Sequence, residues 1–139
     1  MTDWKRAEDW ARKMLEAEGY LVHHAKPHRV RVPGKPFPIT LSFDVHDCDL
    51  VAIHPTRRNR WVQVTAGSYS DASERKRKLE ALPWNLAHNE VEVWRLDWEQ
   101  DPSNKRRKMW YFAVYRLEDG WKYTKDDRLP VPESVCRPT

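Results

Sequence analysis

The chain has 139 residues, with 25 Lys and Arg against 21 Asp and Glu, for a formal net charge of +4. That length suits one domain with its own core, and eight Trp, five Tyr and three Phe supply much of the area such a core buries. Cys48 and Cys136, the two cysteines, lie outside any CxxC spacing, which speaks against a disulfide framework or a structural zinc site and makes a reducing, cytoplasmic setting the expectation. No run approaches the ~18 apolar residues of a membrane span and no basic leader precedes an apolar stretch, so neither a membrane partner nor export is expected.

In chain order, the spacing of Trp4, Ala7, Ala11, Met14 and Leu15 predicts a helix from Thr2 or Asp3 to Glu18, stopped by Gly19. A strand is expected over Tyr20 to Ala25, then an irregular basic segment from Pro27 to Pro38 that turns at Pro33-Gly34. Ile39 to Phe43 alternates in the strand period and should pair with the next strand, CDLVAIH, through the acidic turn Asp44 to Asp47. A basic turn, PTRRNR, leads to the strand WVQVTAG. Asp71 and Glu74 then form an acidic variant of the capping box and predict a helix from Ala72 to Leu82, stopped by Pro83. The N-terminus of that helix, aimed at the Thr65 to Ser70 segment, would favour an anion such as a phosphate. A strand over Val91 to Leu96 follows. Met109 to Leu117 and Trp121 to Tyr123 read as a hairpin across Glu118-Asp119-Gly120. Residues 1–124 make the expected domain, and 125–139, with Pro130, Pro132 and Pro138, an extended tail.

The stretch from Asp49 to Leu79 carries the functional signal. Its two strands are short apolar runs of the kind buried on both faces, so the polar residues Asp49, Gln63 and Thr65 are the anomalies. A carboxylate at one strand edge facing an amide and a hydroxyl from the next is the geometry of a metal or phosphate site. Asp49 can equally cap a strand end, and Gln63 and Thr65 can bond to each other or to the backbone. Positive charge is bunched in Lys26, Arg29, Arg31 and Lys35, in Arg57, Arg58 and Arg60, in Arg75 to Lys78, and in a later loop at Lys105 to Lys108. Four such clusters on one face would form the electrostatic footprint of a nucleic-acid binder. The alternative is a solvated surface.

The order helix, three strands, helix, strand is that of a mixed α/β sandwich, and its residues resemble a family. AEDWARKMLEAEGYLV is similar to the opening helix of archaeal Holliday-junction resolvases and other PD-(D/E)xK nucleases, with Glu8 at the position of the family's helix Glu. CDLVAI resembles the strand carrying the superfamily's Asp, here Asp49. WVQVTAGS resembles the next strand, where the family's Glu-x-Lys falls on Gln63 and Thr65. A closer likeness is to phage-encoded proteins of the superfamily with a Gln-x-Thr-x-Gly-Ser run before a basic helix. The resemblance covers roughly residues 5 to 96 and implies a restriction-endonuclease-like α/β core, with the C-terminal β-hairpin as an addition.

The resemblance also implies an activity. In such nucleases two oxygen ligands hold Mg²⁺, which polarises the phosphodiester and generates hydroxide, while a Lys orients the nucleophile. Carried over, the catalytic positions are Glu8, Asp49, Gln63 and Thr65, with Asp49 and Gln63 at Mg²⁺ or Mn²⁺. Gln63 lacks the charge of the family's Glu and Thr65 lacks the cation. Glu8 would restore a carboxylate, and Arg75 or Lys78 the cation. DNA contacts fall on Arg57, Arg58, Arg60, Ser68, Arg75, Lys76 and Lys78. Two readings follow: a metal-dependent endonuclease acting on DNA, branched DNA included, and a nuclease-fold protein without catalysis that binds DNA or a protein. The resembled resolvases act as homodimers, so a homodimer is expected. A calcium loop at Asp44, Asp47 and Asp49 lacks the mid-loop Gly and closing Glu, and His46 with Cys48 has no second pair for zinc. A sheet-borne aromatic platform for single strands has its residues in Trp and Tyr, although their alternation with apolar residues fits a core better.

Overall fold

A computed structural model describes residues 3–24, 28–30, 33–34, 36, 39–41, 48–67, 69–123 and 127–136. The architecture is mixed α/β, with a seven-stranded sheet between two helices.

The first helix, α1, spans Asp3–Ala17. It ends where the sequence places its stop. Gly19, at φ +93°, takes the left-handed conformation, Tyr20 N–H donates to Leu15 O at 3.2 Å and Gly19 N–H to Glu16 O at 3.0 Å, which is the Schellman closure that favours glycine. Its buried face is Ala7, Trp10, Ala11 and Leu15, with Met14 packed beside them. Trp4, expected on that face, is exposed, and Trp10 supplies the aromatic bulk instead.

The strand β1, Leu21–His24, follows. Then come β2, His28–Val30, and β3, Ile39–Leu41, which pair antiparallel with each other as a separate two-stranded ribbon. The expected pairing of the Ile39 strand with CDLVAIH does not form. That strand, β4 at Leu50–Ile53, has both edges occupied: β1 lies on one side, with His24 opposite Leu50, and β5, Asn59–Thr65, on the other, with Leu50 opposite Val62. The turn Asp44 to Asp47 lies outside the described residues.

After β5 the chain enters α2, Tyr69–Glu80, and returns in β6, Asn89–Asp101, parallel to β5 with Thr65 level with Arg95. This is a crossover unit. The helix begins ahead of its expected cap, so Asp71 lies within the first turn. A Cβ on Gly67 would stand 2.1 Å from Asp71 Oδ2, so glycine leaves the room that this carboxylate takes. The negative charge of Asp71 already faces the helix N-terminus, which answers its dipole from within and weakens the case for a phosphate there. The far end stops earlier than Leu82, and Trp84 Nε1 donates to Leu79 O at 2.8 Å as a substitute for the missing helical donor.

The strand β6 runs on past its expected end and pairs along its length with β7, Asn104–Glu118. Lys105 to Lys108 therefore belong to a strand and not to a loop. The short β8, Gly120–Lys122, closes the expected hairpin with Leu117 opposite Trp121, and Gly120 takes φ +85° at the turn. The C-terminal segment is not simply extended. Arg128–Pro130 forms β9 against β7, and Glu133–Cys136 forms the one-turn helix α3, with Val131, Val135 and Cys136 packed on the α1 core.

Two apolar layers result. One, under α1, holds Leu50, Val62, Val64, Trp94 and Phe112; the other, under α2, holds Val91, Val93, Ala113 and Tyr115 with Ala72 and Leu79. No helix among the described residues is long and apolar enough to cross a membrane.

Candidate functional site

Side chains alternate along β5, and the alternation sorts the motif. Val62 and Val64 enter the α1 layer, so Gln63 and Thr65 between them turn toward the α2 layer, where Val93, the register partner of Gln63, is also found. Both are buried. Asp49 precedes β4 and stands one position beyond the Leu50–Val62 pair, level with Gln63. The buried Asp49 carboxylate accepts the Val64 N–H through Oδ2 at 2.8 Å. It thus takes the place of a ladder acceptor where β4 gives out, which is the strand-end role that its position also allows. The Thr65 hydroxyl accepts the Gly67 N–H at 3.0 Å and shapes the exit from β5.

Glu8 is buried on α1, but its partner is His24, with 3.0 Å between Glu8 Oε2 and His24 Nε2. It therefore works in the α1 layer, on the side of the sheet opposite to that which Gln63 and Thr65 face. Among the described residues no group of three or more His, Cys, Asp or Glu side chains is placed to hold a metal ion. At the level of the Gln-x-Thr motif the described donors are one carboxylate, already accepting a backbone N–H, and one neutral amide. Mg²⁺ is usually held through one or two carboxylates, with water and substrate phosphate completing its shell, and here the one described carboxylate already has an oxygen on a backbone N–H. Ser68, Asp44, His46 and Asp47 lie outside the described residues.

Two cations on the α2 side of the sheet stand outside the motif, one of them level with Thr65. Arg95, the register partner of Thr65 on β6, is buried and donates from Nη1 to Asp97 Oδ2 at 2.8 Å. Burial disfavours its charge, but Tyr115 and Asp97 outweigh that effect and raise its pKa. Lys76, in the second turn of α2, places Nζ 3.6 Å from the ring centroid of Tyr115. Burial, and then the charge of Arg95, lower its pKa. Asp97 is lowered in turn: burial pushes its pKa up, and the bonds from Arg95 and the Trp98 N–H overcome the push. Arg95 is invisible as a site residue in the sequence because it sits in a strand of hydrophobic neighbours with no motif around it; only the parallel register brings it beside Thr65.

The basic clusters separate. Arg57 is exposed, with its guanidinium 5.9 Å from the Tyr20 ring. Arg58 is tied to Glu90 at 2.8 Å and to Leu86 O at 3.0 Å. Arg60, expected on the surface, is buried and bonded to Glu92 at 2.8 Å. Its place in β5 explains why: Arg60 lies on the face of Val62 and Val64, so it turns inward beneath α1. Arg75 and Lys76 are half-buried on α2, and Lys78 is exposed, 3.9 Å from Glu74. The Arg57–Arg58 turn and the C-terminal end of α2 share one end of the sheet. Lys105 to Lys108 lie at the other, on the β6–β7 hairpin, which extends six residues, or ~20 Å, past the level of Thr65. The three described clusters thus do not gather at one end of the sheet; the side chains of Lys26, Arg29, Arg31 and Lys35 lie outside the described residues.

Comparison of the chain with protein-family models, with curated proteins and with solved structures found no match.

Proposed function

We propose that the chain is a DNA-binding protein built on a PD-(D/E)xK nuclease-like sheet, in which the hydrolytic site is no longer assembled. One observation carries this reading: three of the four side chains at the family's positions spend an oxygen inside the protein, Glu8 on His24, Asp49 on the Val64 N–H and Thr65 on the Gly67 N–H. What stands around the motif instead is positive charge, Arg95 and Lys76, with Lys105 to Lys108 beyond it. Arg95 is buried and paired with Asp97, so it is the exposed Lys105 to Lys108 that suit phosphate contacts, which need no metal.

The second reading is the metal-dependent endonuclease. It is favoured by Asp49 standing level with Gln63 and by Lys76, whose lowered pKa suits a Lys that handles protons. A nicking assay on supercoiled and four-way-junction DNA, with Mg²⁺ and with Mn²⁺, separates the two. DNA bound and left intact by the wild type, by Gln63→Glu and by Gln63→Glu with Thr65→Lys supports binding alone. Cleavage that Gln63→Glu raises and Asp49→Ala abolishes establishes the nuclease.

A further inference from the structure

The β6–β7 hairpin carries an aromatic and cationic ladder that no site described above uses. Trp98 and Trp110 are direct cross-strand partners, and Trp98 is 46% exposed. That exposure is costly for a side chain whose area normally goes to a core. Lys108, two pairs further out, sets Nζ 4.4 Å from the Trp98 ring centroid and 5.9 Å from that of Trp110. The ladder continues inward: Trp10 meets Trp110 edge-on at 5.6 Å, and Arg6 lies 5.6 Å from Trp10 and 5.9 Å from Trp110. Beside it, a groove of about 520 Å³ runs between β7 and the β9–α3 segment, lined by Lys108, Met109, Trp110 and Val131 among others.

Trp110, edge-on against Trp10, holds the inner end of this ladder, and Trp98 stands exposed at its outer end. Arg106 and Lys108 are both exposed on the outer part of β7, where the register shifts between Gln100 and Asp101, and offer cations to the phosphates of a bound strand. A planar ring flanked by such cations matches the chemistry of an unpaired nucleotide, whose base stacks while its phosphate meets the cation. A base stacked within a duplex offers no free face. We propose that Trp98 and Lys108 form a stacking site for single-stranded nucleic acid, an inference that rests on the DNA-binding reading and gives it a substrate class.

Fluorescence anisotropy with labelled oligothymidylate and with a duplex of equal length tests this. The wild type should prefer the single strand. Trp98→Ala should weaken the single strand about tenfold, as expected when one base loses the ring it stacks on, and leave the duplex unchanged; Trp98→Phe should keep most of the affinity. Circular dichroism of the variants guards against misfolding. Single-strand affinity unchanged by Trp98→Ala overturns the stacking site while leaving DNA binding intact. Failure of the wild type to bind either DNA at low salt overturns both. Poly-glutamate competing as well as the oligonucleotide shows a general anion surface and also overturns the site.

Discussion

Arg60 and Glu92 form a buried ion pair beneath α1. Nε and Nη2 of Arg60 each lie 2.8 Å from Glu92 Oε1, and Arg116 Nε reaches the other carboxylate oxygen at 2.9 Å. Glu92 is fully buried, so these two guanidinium groups, with the Trp94 indole N–H at 3.3 Å from Oε1, offset the cost of keeping its charge from water. Burial works against the Arg60 cation, and Glu92 outweighs it, raising its pKa. Glu92→Ala should therefore cost about 3–5 kcal/mol, the range for breaking a buried pair, measured by urea denaturation. A loss below about 1 kcal/mol would mean that the pair is solvated in practice.

Arg60 also shows where the sequence misleads. Within PTRRNRW it is one of three arginines in a row of turn residues, and nothing in that row says that β5 begins at Asn59 and turns this one guanidinium inward. Its anchor, Glu92, lies 32 positions away on a strand reached by a crossover. Local signals fared better. Gly19 as the stop of α1, the turn at Gly120 and the apolar runs of β4 and β5 are short-range patterns, and each was legible. The candidate site divides in the same way: the burial of Asp49, Gln63 and Thr65 follows from the apolar runs around them, whereas Arg95 and the Glu8–His24 pair depend on register and helix docking.

Gly19 gives a second prediction. A Cβ at this position would lie 3.3 Å from His54 Nε2 in a backbone conformation that L-residues rarely adopt. Gly19→Ala should cost about 1–2 kcal/mol, read as a shift in the denaturation midpoint with an unchanged slope. An unaltered midpoint would show that the Schellman closure relaxes without penalty.

Lys76 gives a third, with a sign. Its folded pKa is lowered, by burial and then by Arg95, so the unfolded chain binds more protons in the window between the lowered value and the ordinary 10.5. Its contribution to stability therefore rises with pH across that window, and the penalty for keeping it charged is fully present below it. In NMR of reductively methylated protein, Lys76 should titrate below the surface lysines, and Arg95→Met should move it upward. Titration with the bulk lysines in both proteins would remove Arg95 as its neighbour in effect.

The two ends of the sheet make a fourth. If DNA lies across the β6–β7 hairpin, replacing Lys105, Arg106 and Lys108 by Ala should flatten the salt dependence of duplex binding, by about 0.9 in slope for every phosphate no longer neutralised. Arg57→Ala with Arg58→Ala, at the opposite end, should change the slope far less. The reverse result would move the DNA to the β4–β5 turn.

Whether this sheet holds DNA without cutting it is tested most directly with supercoiled plasmid incubated with wild type and with Asp49→Asn in Mg²⁺ and in Mn²⁺, with binding followed in the same samples. Salt-sensitive binding by both proteins, with plasmid that stays supercoiled throughout, is the expected result. Nicking by the wild type that Asp49→Asn abolishes would contradict it and restore Asp49 as a catalytic ligand.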